Sequence, residues 1–228
     1  MKKYVLLNVL FGIALFLFVI SFSIALPIMC RFIHTLCIKP MHIVEDLNAG
    51  TNSNYTFDDV VEAYNEVVNY CCFYTKFGAG KLLYPEEDVL HFEDCRKLFT
   101  LDFVVIIVSL IIIITLKIIE KKKKVVMFKP LTYLITGIST IVLPTVLGIL
   151  CAINFDEAFV IFHHIFFPGK ENWLFNPSEN HIIWILPQDF FMVCAIVIGA
   201  SVVIGSTLLI LFFFIKRKKI VKMRKANA

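Results

Sequence analysis

The chain has 228 residues, of which 59% are hydrophobic and 18% charged, and its 22 Lys and Arg against 18 Asp and Glu leave a formal charge of +4. That is too apolar for one soluble domain of this length. Four runs with almost no charge, 5–28, 103–119, 131–153 and 190–215, come close to or exceed the roughly 20 residues that cross about 30 Å of hydrocarbon. Continuous apolar runs satisfy their backbone in lipid as helices. The expected fold is all-α: a polytopic membrane protein, a single membrane domain over 1–228, with four transmembrane helices and an extracellular cap.

Charge sets the expected orientation. Lys2 and Lys3 precede the first run, Lys121–Lys124 and Lys129 lie between the second and third, and KRKKIVKMRK follows the fourth, whereas 29–102 and 154–189 hold nearly all the acids. The positive-inside rule then puts both termini and the 120–130 loop in the cytoplasm and the two acidic segments outside a cell membrane. The basic tail, 216–228, suits anionic lipid headgroups rather than nucleic acid.

The first run resembles a secretory signal, with MKK, an apolar core and Cys30. It is too long for a signal core, however, and Met29 is too large for the position before a lipid-modified cysteine, so an uncleaved anchor is expected. Asn8, Ser21 and Ser23 are small polar groups suited to bonding backbone or a neighbouring helix. Pro27 and Pro40 are expected to break the chain, and NAGTNSN (48–54) reads as an exposed loop. Asn54-Tyr55-Thr56 matches a glycosylation sequon, a weak signal.

Thr56, with Asp59 three residues on, predicts a capped helix. Val60, Val61, Tyr64, Val67, Val68 and Cys71 recur at helical spacing opposite Asp59, Glu62 and Glu66, a packing stripe on a cap helix lying over the membrane domain. Gly78 and Gly80 mark a turn. Pro85 then opens a helix with Glu86, Glu87 and Asp88 in its first turn, running through YPEEDVLHFEDCRKLF into the second span. His91 sits about three turns before that span. Glu87 and Cys95 lie one turn either side of it, and Asp88 and Asp94 three residues away. On the residues alone, an ordinary interfacial histidine is the simpler reading.

The second span is almost wholly Ile, Val and Leu, with Lys117 placed to snorkel. Thr132, Thr136, Gly137, Ser139, Thr140 and Pro144 in the third, and Gly199, Ala200, Ser201, Gly205 and Ser206 in the fourth, suit close helix contact, with a kink at Pro144. No Asp, Glu, Arg or His stands near the middle of a span, which argues against a pump, channel or coupled transporter. Seven cysteines leave at least one unpaired. Cys30, Cys37, Cys71, Cys72 and Cys95 allow an outer disulfide without choosing partners. No CxxC or Cys/His spacing suggests a structural metal.

Between the third and fourth runs lies FHHIFFPGKENWLFNPSENHIIWILPQDFF, residues 162–191. Asp156 and Glu157 suit the start of a short interfacial helix that Pro168-Gly169 ends. His163 and His164 are about 100° apart on such a helix, so one of them at most enters a given pocket. HExxH, GxSxG and P-loop patterns are absent. What remains is imidazole acid/base chemistry at a membrane interface, with aromatic walls to exclude water and hold acyl chains.

Four stretches, LHFEDCRKLF around His91, FHHIFF, WLFNP from Trp173 and ILPQDFF from Ile185, together with the four-span topology, resemble the bacterial family of lipoprotein intramolecular transacylases over essentially the whole chain. The resemblance implies catalytic roles for His91 and His163 and a structural one for His164. It implies a diacylated lipoprotein substrate in membrane lipid, whose sn-2 acyl chain moves to its own N-terminal cysteine α-amino group, giving the lyso-form. No acyl donor, nucleotide, metal or other cofactor is implied. Phe162, Phe166, Phe167 and Trp173 are the expected substrate-binding walls. Asn180 stands where the family commonly has an acid and Cys95 where it commonly has Val, so no role carries over to those positions. The competing reading is a non-enzymatic membrane protein whose outer cap binds lipid or a partner subunit, with a metal-dependent hydrolase a distant third.

Overall fold

The computed structural model describes residues 4–226, with helices and no strand among them. Lys2 and Lys3, used above for orientation, and the last two residues of the basic tail lie outside the described residues. The helices are α1 (Val5–Met29), α2 (Phe32–Ile38), α3 (Ile43–Thr51), α4 (Phe57–Phe73), α5 (Val89–Lys122, entered through a 3-10 turn at Glu86–Asp88), α6 (Pro130–Ile153), α7 (Phe155–Phe166), α8 (Ile182–Ile185) and α9 (Gln188–Ala226). Four of them, α1, α5, α6 and α9, are long and apolar enough to cross a membrane. The chain divides into two compact units, one of 1–24, 102–149 and 197–228, the other of 25–101 and 150–196.

In the first unit, polar side chains tie apolar helices together. Asn8 Nδ2 donates to the Met127 carbonyl at 2.9 Å, while its Oδ1 accepts from Lys129 N and Thr132 Oγ1, both at 2.8 Å. Glu120 Oε1 accepts from Met127 N and Phe128 N and pairs with Lys216; its other oxygen pairs with Lys117. Small residues permit close approach at two points. A Cβ on Gly137 would lie 3.1 Å from the Ser206 carbonyl, and one on Gly205 would lie 2.7 Å from a Val19 methyl. A Cβ on Gly199 would meet nothing within 4 Å, so the small-residue face expected of the fourth span is a contact around Gly205 and not at Gly199.

The second unit is built on α4. Thr56 Oγ1 accepts from Asp59 N while Asp59 Oδ2 accepts from Thr56 N, the reciprocal capping box. The stripe Val60, Tyr64, Val67, Val68 and Cys71 is buried against Ile38, Ile43, Leu47, Ile182, Ile185 and Phe190. Three expectations need correction. Asp59 is buried rather than on the solvated face, because Lys81 reaches it at 2.7 Å; the Lys81 ammonium and the Thr56 cap hold its carboxyl below the usual carboxylate range. Pro27 does not break the chain, since α1 carries it in its last turn and ends at Met29. Residues 48–51 are not loop but the end of α3, stopped by Asn52 in the left-handed conformation at φ 52°. What holds this polar segment helical is tertiary: Ile43 and Leu47 are buried, and Gly50 lies where a Cβ would meet the Trp184 indole at 2.3 Å.

His34 on α2 is fully buried, with Nε2 donating to the Ile185 carbonyl at 2.7 Å and its ring stacked on Tyr64 at 3.8 Å. Burial pushes its pKa down to about 4. His181 Nδ1 pairs with the Tyr55 hydroxyl at 2.9 Å, consistent with a structural role. The seven cysteines are free thiols, so the outer disulfide that the sequence allowed is not formed.

Candidate active site

Two local devices bring the histidines together. α5 starts after the acidic turn Glu86–Asp88, where carboxylates favour a helix N-terminus, and this sets His91 in its first turn. Asp88 then accepts from Asn180 Nδ2 at 2.7 Å, and the Leu83 carbonyl accepts from His181 N at 2.9 Å. These bonds fasten the aromatic segment to the start of α5. α7 is capped by Asn154, whose Oδ1 accepts from Glu157 N at 3.2 Å, and closes on the Phe167 N–H bond to the His163 carbonyl. Gly169, at φ 72°, makes the turn that follows.

The rings of His91 and His163 lie 5.9 Å apart between centroids, tilted by 31°. Both residues are buried. Phe167 touches both rings, at 4.9 and 5.7 Å, and Trp173 stacks on His163 at 4.5 Å. Phe175 closes on His91 at 5.5 Å and Phe159 on His163 at 4.3 Å. The result is an aromatic box around two buried imidazoles, a setting that strengthens polar interactions inside it.

The two rings have different free nitrogens. His163 Nδ1 lies 2.7 Å from the Phe159 carbonyl. A carbonyl only accepts, so Nδ1 carries the proton and Nε2 keeps its lone pair. Burial lowers the His163 pKa, outweighing the bond to Phe159, so the ring is neutral near pH 7. His91 Nε2 lies 3.4 Å from Cys95 Sγ, and its Nδ1 is buried with no hydrogen-bond partner.

Beside this pair, Asp94 accepts from Lys170 Nζ at 2.5 Å, from Asn172 Nδ2 at 3.3 Å and from Lys97 Nζ at 3.3 Å. It clamps 170–172 to α5 one turn beyond His91. Trp173 is braced in turn by its Nε1 donating to the Lys170 carbonyl at 3.1 Å.

Of the residues singled out from sequence, the structure brings His91, His163, Phe167 and Trp173 together. Phe162 and Phe166 lie apart from His91: each is 47% exposed, and they pack on each other at 4.6 Å along the outer face of α7. Helical spacing is the reason, since Phe159, His163 and Phe167 share one face of that turn and 162 and 166 the next. His164 is exposed, touching Trp173 only edge-on at 5.7 Å. Sequence reasoning missed Phe159, Phe175, Lys170 and Asn172. Phe159 was findable as the residue one turn before His163; the Asp94 partners, 76 and 78 positions away, were not. Among the described residues no three His, Cys, Asp or Glu side chains converge as metal ligands.

The family model for lipoprotein intramolecular transacylase Lit matches residues 9–191. No curated protein sequence matches the chain. Among solved structures, the chain is similar to the membrane-integral lipoprotein intramolecular transacylase Lit from Bacillus cereus, at 23% identity and a TM-score of 0.82 over 96% of this chain and 97% of that one. It is also similar to that protein carrying a histidine-to-arginine substitution, at 21% identity and a TM-score of 0.77 over 98% and 94% of the two chains. A histidine-to-alanine form gives 22% identity and a TM-score of 0.76, with 94% of each chain covered. At such identities the likeness speaks for the fold.

Proposed function

The chain belongs to the lipoprotein intramolecular transacylase family, a family of acyltransferases, and we propose that it moves the sn-2 acyl chain of a diacylglyceryl-cysteine lipoprotein to that cysteine's own α-amino group, using His91 and His163. The observation that carries this reading is the buried pair itself: two imidazoles 5.9 Å apart, each with one nitrogen uncommitted to a strong acceptor, inside an aromatic box.

The chemistry explains why two bases are needed. The substrate amine, with an ordinary pKa near 8, arrives as an ammonium and must lose two protons to become an amide. His91 Nδ1 takes the first, leaving a neutral amine. The amine nitrogen attacks the sn-2 ester carbonyl carbon as His163 Nε2 takes the second proton. The tetrahedral adduct then breaks its bond to the glyceryl oxygen, and the proton on His91 passes to that oxygen. The amide C–N bond has replaced the ester C–O bond, and the proton left on His163 returns to solvent. No acyl donor or cofactor enters, because ester and nucleophile belong to one molecule.

The enzyme's larger task is conformational. Bringing the amine onto an ester of the same molecule closes a wide, flexible ring, and well-oriented intramolecular reactions set an upper bound of about 7–11 kcal/mol on what such positioning contributes. The aromatic faces of Phe159, Phe167, Trp173 and Phe175 supply rigid walls for it. Exposed apolar side chains on α7, Phe162 and Phe166 among them, suit contact with lipid acyl chains. The lysines flanking the apolar helices favour both termini in the cytoplasm and hence a reaction at the outer face, where acyl esters meet headgroups.

The test is mass spectrometry of an N-terminal lipopeptide from cells expressing the wild-type chain, His91→Asn or His163→Asn. The wild type yields the lyso-form and both variants lose it. Persistence of the lyso-form in either variant removes the role assigned to that histidine.

A further inference from the structure

We propose that Asn172 is a substrate-binding residue whose side-chain carbonyl accepts a hydrogen bond from the substrate's α-amino group. This rests on the transacylase reading and adds a recognition element to it. The orientation of the amide is dictated by its neighbour. Asn172 Nδ2 donates to the Asp94 carboxylate at 3.3 Å; the flipped amide would set its oxygen against that carboxylate, two acceptors face to face. Oδ1 therefore points the other way, and there it is buried with no hydrogen-bond partner. An orphaned buried acceptor is destabilising, and its retention beside a site calls for a reason, which a donor on the bound substrate supplies.

Its location says which donor. Asn172 is adjacent in sequence to Trp173, whose ring stacks on His163 at 4.5 Å. Its anchor Asp94 lies on α5 three residues from His91, the Nδ1 of which is likewise buried without a partner. Asn172 is thus fixed beside the two-histidine cluster, bonded to α5 one turn from His91 and next in the chain to the indole that covers His163. Of the substrate's reacting groups, the ester offers only acceptors. The amine or ammonium alone offers several N–H donors, so one can be held by Asn172 while others face the histidines. Lys170, paired with Asp94 at 2.5 Å, leaves that carboxylate neutralised, so the amide oxygen, and not the acid, is the free acceptor.

The experiment uses the detergent-solubilised full chain with a synthetic diacylglyceryl-cysteine lipopeptide as substrate and the same lipopeptide with hydrogen in place of the α-amino group as competitive inhibitor. The wild type should discriminate by about tenfold or more between the KM of the first and the Ki of the second. Asn172→Leu should raise the KM and leave the Ki unchanged, narrowing the discrimination. Equal values in the wild type overturn the inference without any variant. So does an Asn172→Leu protein that weakens both ligands alike, the result expected of a side chain that only braces Asp94. A wild type that does not N-acylate the lipopeptide defeats the transacylase reading instead, and the two failures are distinguishable.

Discussion

Trp173 lies stacked on the imidazole of His163, ring centroids 4.5 Å apart and planes 27° from parallel. The indole covers one face of the ring while Phe159 and Phe167 pack round it, so His163 is held on several sides and its free nitrogen keeps one direction. Removing the indole should loosen that ring and admit water. Trp173→Ala is expected to lower kcat/KM by about tenfold to a hundredfold, while Trp173→Phe, which keeps an aromatic face, retains most activity. Steady-state rates on a diacylated lipopeptide check this.

The pH dependence follows from burial. The His163 pKa is lowered because its charged form is desolvated, and the proposed mechanism uses the neutral ring. Activity should therefore persist below the ordinary histidine value of about 6.5 and fall only as pH drops through the lower folded-state value. A kcat/KM profile with its acid limb centred at or above about 6.5 would show that His163 is not the limiting base.

His34 gives a separate prediction for stability. Its folded-state pKa of about 4 lies below the unfolded value of 6.5, so on acidification the unfolded chain binds the proton first. The stability associated with the neutral ring is complete above about pH 6.5 and is lost as pH falls towards 4, by about 3 kcal/mol in all. Thermal unfolding followed at pH 7 and pH 4.5 should show the loss, and His34→Gln should show a shallower pH dependence.

Close helix contacts predict a contrast among glycines. Gly137→Ala brings a methyl within 3.1 Å of the Ser206 carbonyl, a backbone atom that cannot swing away, whereas Gly199→Ala meets nothing within 4 Å. The first should cost about 1–3 kcal/mol and the second should be neutral or slightly stabilising. Unfolding midpoints in detergent compare them directly.

How much of this was legible in the sequence depended on the range of the interactions. The apolar runs, the Thr56–Asp59 cap and the start of α7 at Asp156 are local signals, and the structure has the corresponding helices. The end of α3 escaped notice because its polar residues 48–51 read as loop, and the burial of Ile43 and Leu47 is what holds that helix. The site shows the same division. Helical spacing separates His163 from His164, yet it does not tell which of Phe162, Phe166 and Phe167 turns inward, and only Phe167 does. The Asp94, Lys170 and Asn172 clamp and the Asn180–Asp88 bond join segments with no shared periodicity. No reading of one segment reaches them.

The central claim is that the acyl chain moves within one substrate molecule. The most direct measurement is a crossover experiment: lipopeptide carrying isotope in both the sn-2 acyl chain and the peptide is mixed with unlabelled lipopeptide and converted by the full chain. Mass spectrometry should find the labelled acyl group as an amide only on labelled peptide. Labelled acyl on unlabelled peptide, or label remaining esterified at sn-2 after N-acylation, would contradict it.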